Sequence, residues 1–170
     1  ASTAGRSARP GQTRMAPNAN AGMSNVGALI SVYDPVTRTG SLRTPVLGIR
    51  DLNEGYRTAS SVAYFYHENE NKVRTGVFYI YLAALSEKAR FQSTAMVLTV
   101  DGKNIATGTA KRTQRKVDNS IEETLIYTVD RKAMEKFANG AEASLRIGNY
   151  QIVFLSGYQM LVYNLLDASK

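Results

Sequence analysis

The chain has 170 residues, a formal net charge of +7, a single histidine and no cysteine. This length suits one domain with a sizeable core, and the lack of cysteine excludes disulfides, thiolate metal sites and cysteine nucleophiles. The positive charge favours anionic partners such as nucleic acid, acidic polysaccharide or a membrane surface, because net charge acts on association rather than on the fold.

The N-terminal segment, residues 1–25, differs in composition from the rest of the chain. It is rich in Ala, Gly, Ser, Asn and Pro, has no acidic residue, and carries Arg6, Arg9 and Arg14. Such a segment buries too little apolar surface to offset the entropy lost when it is ordered. We therefore expect residues 1–25 to form a flexible or partner-ordered arm, and residues 26–170 to form a single β-rich globular domain.

The first half of this domain is predicted to consist of strands. Residues 26–33 form a short apolar run that ends at the turn signal Asp34-Pro35. Residues 60–67 alternate in polarity up to a polar loop, and residues 73–82 become apolar on both faces. Such a pattern is typical of a central strand covered on both sides, and we expect these last two strands to form a hairpin.

The second half adds two tight hairpins and a further strand. Asp101-Gly102 is a strong turn signal within residues 95–108, because the turn requires positive φ at its central residues. Gly148-Asn149 marks a second hairpin within residues 142–155. Residues 121–129 alternate, and one face of this strand is apolar. That face carries Ile121, Leu125, Tyr127 and Val129.

Two helices are expected near the C-terminus. Asp130 is a capping residue before residues 131–139, and Gly140 follows where helices commonly stop. Ser156 opens an amphipathic helix that runs to Ala168, with apolar residues at helical spacing. These residues are Tyr158, Leu161, Val162, Leu165 and Leu166.

These elements together predict a mainly β (α+β) fold. We expect an antiparallel β-sandwich or partial barrel with one short helix, a C-terminal amphipathic helix that closes one face or end, and an extended N-terminal arm. The longest apolar run, residues 77–85, is far shorter than the ~20 residues of a membrane-spanning helix. No transmembrane segment is therefore expected.

The sequence offers little catalytic chemistry. It contains no motif for nucleotide, phosphate, zinc or calcium binding and no serine-hydrolase elbow. His67 could act as the base of a serine hydrolase, but a histidine at a loop edge with no catalytic role is favoured. Glu122 and Glu123 could pair, but strand neighbours point to opposite faces, so a solvated strand edge is favoured. We expect a protein that is not an enzyme and uses no metal and no cofactor.

Tyrosine is unusually frequent, with ten in the chain. If the predicted hairpin is in register, Tyr64 and Tyr66 could share one sheet face with Tyr79 and Tyr81 and offer rings for stacking. The alternative is that these aromatic residues belong to the core, because Val62, Val73 and Val77 are expected on the same faces. The core is the favoured interpretation.

A basic cluster precedes the strand at residues 121–129. It consists of Lys111, Arg112, Arg115 and Lys116. We expect a connecting loop or the exposed end of a hairpin here, where such charges usually only solvate a turn. Alternatively, the cluster joins Arg6, Arg9 and Arg14 of the arm in one patch that binds an anion or a partner.

These observations favour a non-catalytic interaction and assembly protein. Its N-terminal arm would engage a neighbouring subunit or partner, for example by adding a strand to an open sheet edge. One alternative is a nucleic-acid-binding or capsid-like protein that uses the basic arm and loop, although three arginines are few for such an arm. A second alternative is an exported ligand-binding domain.

The chain opens on Ala1, which is expected after removal of either a signal peptide or an initiator methionine. The sequence itself leaves these two origins open. The order of strands, "VDGK", short helix, "IGNY" hairpin and closing helix resembles that of small exported bacterial β-rich proteins. These motifs name no family, and the sequence leaves the compartment open, with an exported location, periplasmic or extracellular, slightly favoured over the cytoplasm.

Overall fold

The computed structural model describes residues 12–14, 28–51 and 58–170. These residues form twelve strands and two helices, and all strand pairings among them are antiparallel. The strands are β1 (Gln12–Arg14), β2 (Ile30–Asp34), β3 (Thr39–Arg43), β4 (Leu47–Asp51), β5 (Thr58–Glu68), β6 (Arg74–Ser86), β7 (Ala95–Val100), β8 (Lys103–Thr109), β9 (Lys111–Val117), β10 (Ser120–Val129), β11 (Ala143–Ile147) and β12 (Tyr150–Phe154). The helices are α1 (Arg131–Asn139) and α2 (Ser156–Ala168).

The strands form two sheets that pack as an open sandwich. The larger sheet has the order β1-β2-β3-β5-β6-β10-β9, and the smaller sheet has the order β4-β12-β11-β7-β8. Strand β4 joins the sheets, because it pairs with both β5 and β12. The edge strands β8 of the smaller sheet and β9 of the larger sheet are separated in sequence only by Ala110. No ladder among the described strands joins β8 to β10, so the barrel is not closed. The predicted mainly β fold is confirmed.

The hydrophobic core lies between the sheets. Strand β10 contributes Leu125, Tyr127 and Val129, the predicted apolar face, and all three are buried. Leu98 and Leu145 of the smaller sheet are fully buried on the opposing side. Burying each of these large side chains stabilises the fold by about 1.5–3 kcal/mol relative to leaving it exposed.

The two helices have the bounds that the sequence predicted, and they pack against each other and against both sheets. The Asp130 carboxylate caps α1 by accepting the backbone N–H of Ala133 at 2.7 Å. The predicted apolar stripe of α2 is buried along its whole length. Gln159 on α2 donates its side-chain amide to the carbonyl oxygens of Phe137 and Gly140, at 2.9 and 2.8 Å. These bonds fix α2 against the end of α1.

Glycine residues act at the predicted positions, but not always for the predicted reason. Asp101 and Gly102 have φ of 49° and 76°, as their hairpin requires. Gly140 does end α1, yet its φ is −75°, outside the left-handed region typical of helix stops. A side chain at Gly140 would overlap the side chain of Val100. The close approach of α1 to β7 therefore requires glycine there.

The N-terminal part of the domain departs most from expectation. The first predicted strand begins at Ile30 rather than at Val26, which lies outside the described residues. Strands β3 and β4 were not predicted, because residues 39–43 contain only one large apolar side chain and residues 47–51 only two. Both strands form because β5 offers them backbone partners along one edge.

Candidate interaction surface

Strand β6 is central in the larger sheet, but only one of its faces is covered. Phe78, Ile80 and Leu82 point inward and are buried. Val77 and Leu85 point outward and remain 40% and 38% exposed, and no described element packs against that side. The prediction that this strand is covered on both sides is wrong, because a two-layer sandwich covers one face of each sheet.

The outward side of the larger sheet, which we call the outer face, carries large apolar side chains on β2, β5, β6 and β10, whereas the outward residues of β3, Thr39, Ser41 and Arg43, are polar. The pairing register is constant from β2 to β9, so alternate residues of six strands share this side. Its large apolar members are Ile30, Val32, Phe65, Val77, Tyr79, Tyr81, Leu85 and Ile126. Ser41 and Ala63 lie between them and are buried by their larger neighbours. The outer face thus has large side chains around small hollows.

Arg43 lies near the centre of the outer face, over aromatic rings. Its guanidinium carbon is 5.2 Å from the ring centroid of Phe65 and 5.8 Å from that of Tyr81. Tyr79 extends the cluster, with its ring centroid 5.6 Å from Phe65 and 6.3 Å from Tyr81. Such contacts attract the cation to the ring faces. Arg43 is exposed and forms no ion pair with any carboxylate of the described residues.

The four tyrosines proposed as one surface are divided between the two faces. Tyr64 pairs with Phe78 across the hairpin, and Ala63 pairs with Tyr79, so Tyr64 and Tyr79 point to opposite sides. Tyr64 and Tyr66 are buried core residues, and the Tyr64 ring stacks on Phe78 at 4.5 Å. Only Tyr79 and Tyr81 lie on the outer face. The favoured prediction of core residues is confirmed for Tyr64 and Tyr66 and wrong for Tyr79 and Tyr81, and the alternative of one shared surface is wrong, because the hairpin register puts the two pairs on opposite sides of the sheet.

The basic cluster lies on strand β9 rather than in the predicted loop. Neighbouring residues of a strand point to opposite faces. Register with β10 therefore puts Arg112 and Lys116 on the inward side and Lys111 and Arg115 on the side of the outer face. The four cations do not form one patch.

Two carboxylates of β10 neutralise half of this cluster. Glu123 is fully buried and accepts Arg112 Nη2 at 2.7 Å, together with the backbone N–H groups of Arg90 and Phe91. Glu122 faces the other way and pairs with Arg115 at 2.9 Å. The opposite orientation of the two glutamates is as predicted, but a solvated edge is wrong for Glu123. Its partners are remote in sequence, so no local pattern indicates its burial.

The described part of the N-terminal arm lies beside the outer face. Strand β1 pairs its Gln12 and Arg14 with Val32 and Ile30, two residues of the outer face on β2. Of the predicted arm cations, Arg6 and Arg9 lie outside the described residues. Their proximity to the cluster on β9 stays a prediction.

The remaining candidate, His67, is exposed at the end of β5, opposite Thr39 of β3. Among the described residues, no group of three or more histidine, cysteine, aspartate or glutamate side chains could hold a metal ion. Neither of the two described helices is long and apolar enough to cross a membrane.

Comparison with protein-family models, curated protein sequences and solved structures finds no match to this chain.

Sequence reasoning missed most of the outer face. Arg43 belongs to a strand that was not predicted, whereas Ile30 and Val32 lie in the predicted first strand, whose exposed side the sequence did not indicate. The one usable signal was the run of apolar residues on both faces of β6. A strand of this kind is either covered on both sides or exposes one apolar face. Strand β6 exposes one apolar face.

Proposed function

We propose that this protein is a non-catalytic assembly protein whose outer face and N-terminal arm engage a neighbouring protein subunit. The observation that supports this proposal is the uncovered outer face, with exposed Arg43 stacked on Phe65 and Tyr81. Contiguous exposed apolar patches on soluble proteins commonly mark interaction sites.

The composition of the outer face is that of a protein interface. Tyrosine, phenylalanine and arginine are enriched at the centres of such interfaces, and tyrosine and arginine dominate the residues with large energetic effects. Arg43 has its guanidinium over aromatic rings, and no described residue accepts a hydrogen bond from its side chain, so it can donate to a carboxylate or a carbonyl oxygen of a partner. The arm adjoins this surface at β2, so a subunit bound to the outer face would also meet the arm.

Binding of nucleic acid has less support. A binding surface for phosphates needs several free cations together. Arg112 and Arg115 are paired with glutamates, and Lys111 and Lys116 point to opposite sides of the sheet. Phe65, Tyr79 and Tyr81 offer rings on which bases could stack, but among the described residues only Arg43 places a cation over them.

The proposal is tested by light-scattering chromatography of the natively purified protein over a range of concentrations. We expect a species larger than the monomer, which the variant Val77→Lys dissociates because it introduces a charge into the outer face. The matched control is Met160→Lys, at a position on α2 that is 61% exposed. Circular dichroism of both variants checks that the fold is kept.

Three results would contradict the proposal. The first is a monomer at every concentration, and the second is an assembly that Val77→Lys leaves intact. The third is a species with strong absorbance at 260 nm that dissociates in salt, which would favour nucleic acid. The chain has no tryptophan, so bound nucleic acid would be conspicuous against its weak absorbance at 280 nm.

A further inference from the structure

We infer that the neighbouring subunit is a second copy of this chain, docked outer face against outer face about a two-fold axis. This inference rests on the proposed function, since it specifies the partner of the same surface. Three features of the larger sheet support it: the area of the outer face, its nearly balanced charge, and the charged residues on the edge strand β9.

The outer face has the size that a stable dimer needs. It extends over six strands, and its longest ladder involves the 11 residues of β5. The six strands contain 51 residues, so at a strand spacing of about 4.8 Å and a rise of about 3.3 Å per residue the sheet covers roughly 800 Å². This area is close to the roughly 800 Å² per partner of standard interfaces. Uninterrupted register makes the surface regular enough for two sheets to pack face to face.

The charge of the outer face is nearly balanced, although the chain carries +7. Among the side chains that the structure describes, its cations are Arg43, Lys111 and Arg115, and its anions are Asp34 and Glu122. Two copies of a basic protein repel each other, so they associate most readily through a surface that is close to neutral. A surface specialised for a strongly acidic partner would instead concentrate unpaired cations.

The outer face also contains a potential partner for its own Arg43. Asp34 is exposed on the same side, and its Oδ1 accepts the backbone N–H of Val36 at 2.9 Å. Thr37 also hydrogen-bonds to this carboxylate, through its backbone N–H and through its side chain, but no cation of the described residues pairs with it. An interface formed by the same surface on both copies offers each Arg43 the carboxylates of the other copy.

Edge-to-edge association is disfavoured on the same sheet. The free edge of β9 carries Lys111, Arg115 and Lys116, which are exposed. Lysine and other charges on an edge strand oppose the addition of a further strand. A face-to-face arrangement about a two-fold axis leaves this edge in solvent and closes at two copies.

Single-cysteine variants of the full chain test the inference, because the natural chain has no cysteine. Ser61→Cys, Val77→Cys and Thr124→Cys sample the outer face on β5, β6 and β10, and Met160→Cys on α2 is the control. Residues close to a two-fold axis meet their own counterparts. We expect at least one outer-face variant to form a disulfide-linked dimer under mild oxidation, at a yield at least tenfold above the control, with no larger cross-linked species.

A second measurement uses Arg43→Glu, which we expect to weaken the dimer at least tenfold by light scattering. If Val77→Lys dissociates an assembly but no outer-face cysteine cross-links to its own copy, the proposed function stands and the two-fold inference is overturned. A cross-linking yield for Met160→Cys equal to that of the outer-face variants would also overturn it. If the natural chain is monomeric at every concentration, both proposals fail.

Discussion

The two faces of the larger sheet are built from the same strands and have opposite roles. On β6, Phe78 and Ile80 face the core and are at most 2% exposed, whereas their neighbours Val77 and Tyr79 face outward. Both sets are apolar, so apolar character alone does not identify the core. The inward side is completed by the smaller sheet and the helices. The outward side has an exposed arginine over its rings, which an interior would not tolerate without a partner.

The largest expected contrast is between Phe78→Ala and Tyr79→Ala. Phe78 stacks on Tyr64 at 4.5 Å, and its removal leaves a cavity, so we expect a loss of about 3–5 kcal/mol in the free energy of unfolding. Tyr79→Ala should cost about 1 kcal/mol or less, since its ring borders solvent. Urea unfolding of dilute protein measures both. Similar losses would mean that the outer face is packed as tightly as the core.

A smaller contrast separates the two glutamates of β10. Glu123→Gln weakens the bonds that a buried carboxylate accepts from Arg112 and from two backbone N–H groups. We expect a loss of about 2 kcal/mol in the free energy of unfolding. The matched control is Glu122→Gln on the outer side, which should cost about 0.5 kcal/mol or less because exposed ion pairs contribute little. A reversed order would contradict the burial of Glu123.

The smallest expected effect concerns the inward hydroxyl of Tyr158, which lies 2.6 Å from Ser60 Oγ. Tyr158→Phe should cost about 1 kcal/mol at neutral pH, because one buried hydrogen bond is lost. The control Tyr163→Phe, at an exposed position of α2, should leave stability at neutral pH unchanged.

The same tyrosine predicts a pH dependence. Burial raises the pKa of Tyr158 and that of Tyr127 above the ordinary tyrosine value. Their contribution to stability is therefore fully present below about pH 10, the value in the unfolded chain, and is lost as the pH rises further. Above pH 10 the free energy of unfolding of Tyr158→Phe should fall less steeply with pH than that of the natural chain. A part of the decrease should remain, because Tyr127 still contributes to it. Parallel slopes in urea titrations at several alkaline pH values would contradict this.

The sequence predicted best where the signal is local. The turn at Asp101-Gly102, the cap at Asp130 and the apolar stripe from Tyr158 to Leu166 each follow from residues close in sequence, and the structure confirms all three. Strand β9 was missed because Lys111 to Lys116 lack an apolar alternation. It is held instead by pairing with β10 and by the long-range contacts of Glu123.

The outer face could not be predicted in the same way, because it depends on hairpin register and on which face the second sheet covers. One residue of register shift on β5 would have placed Tyr64 and Tyr66 outside with Tyr79 and Tyr81. The loop at residues 69–73 determines that register, and it includes Lys72 with φ of 60°. Nothing in the polar sequence of this loop indicates a left-handed residue at Lys72 rather than at its neighbours.

Strand β4 has a consequence for the time course of folding. It joins the two sheets by pairing with β5 nearby and with β12, which follows about 100 residues later in the chain. Contacts between such distant segments close large loops and are slow to form. The pairing of β4 with β12 can therefore form only after β12 has emerged from the ribosome. During that interval the edge of β4 that later pairs with β12 is open to chaperones and to other nascent chains.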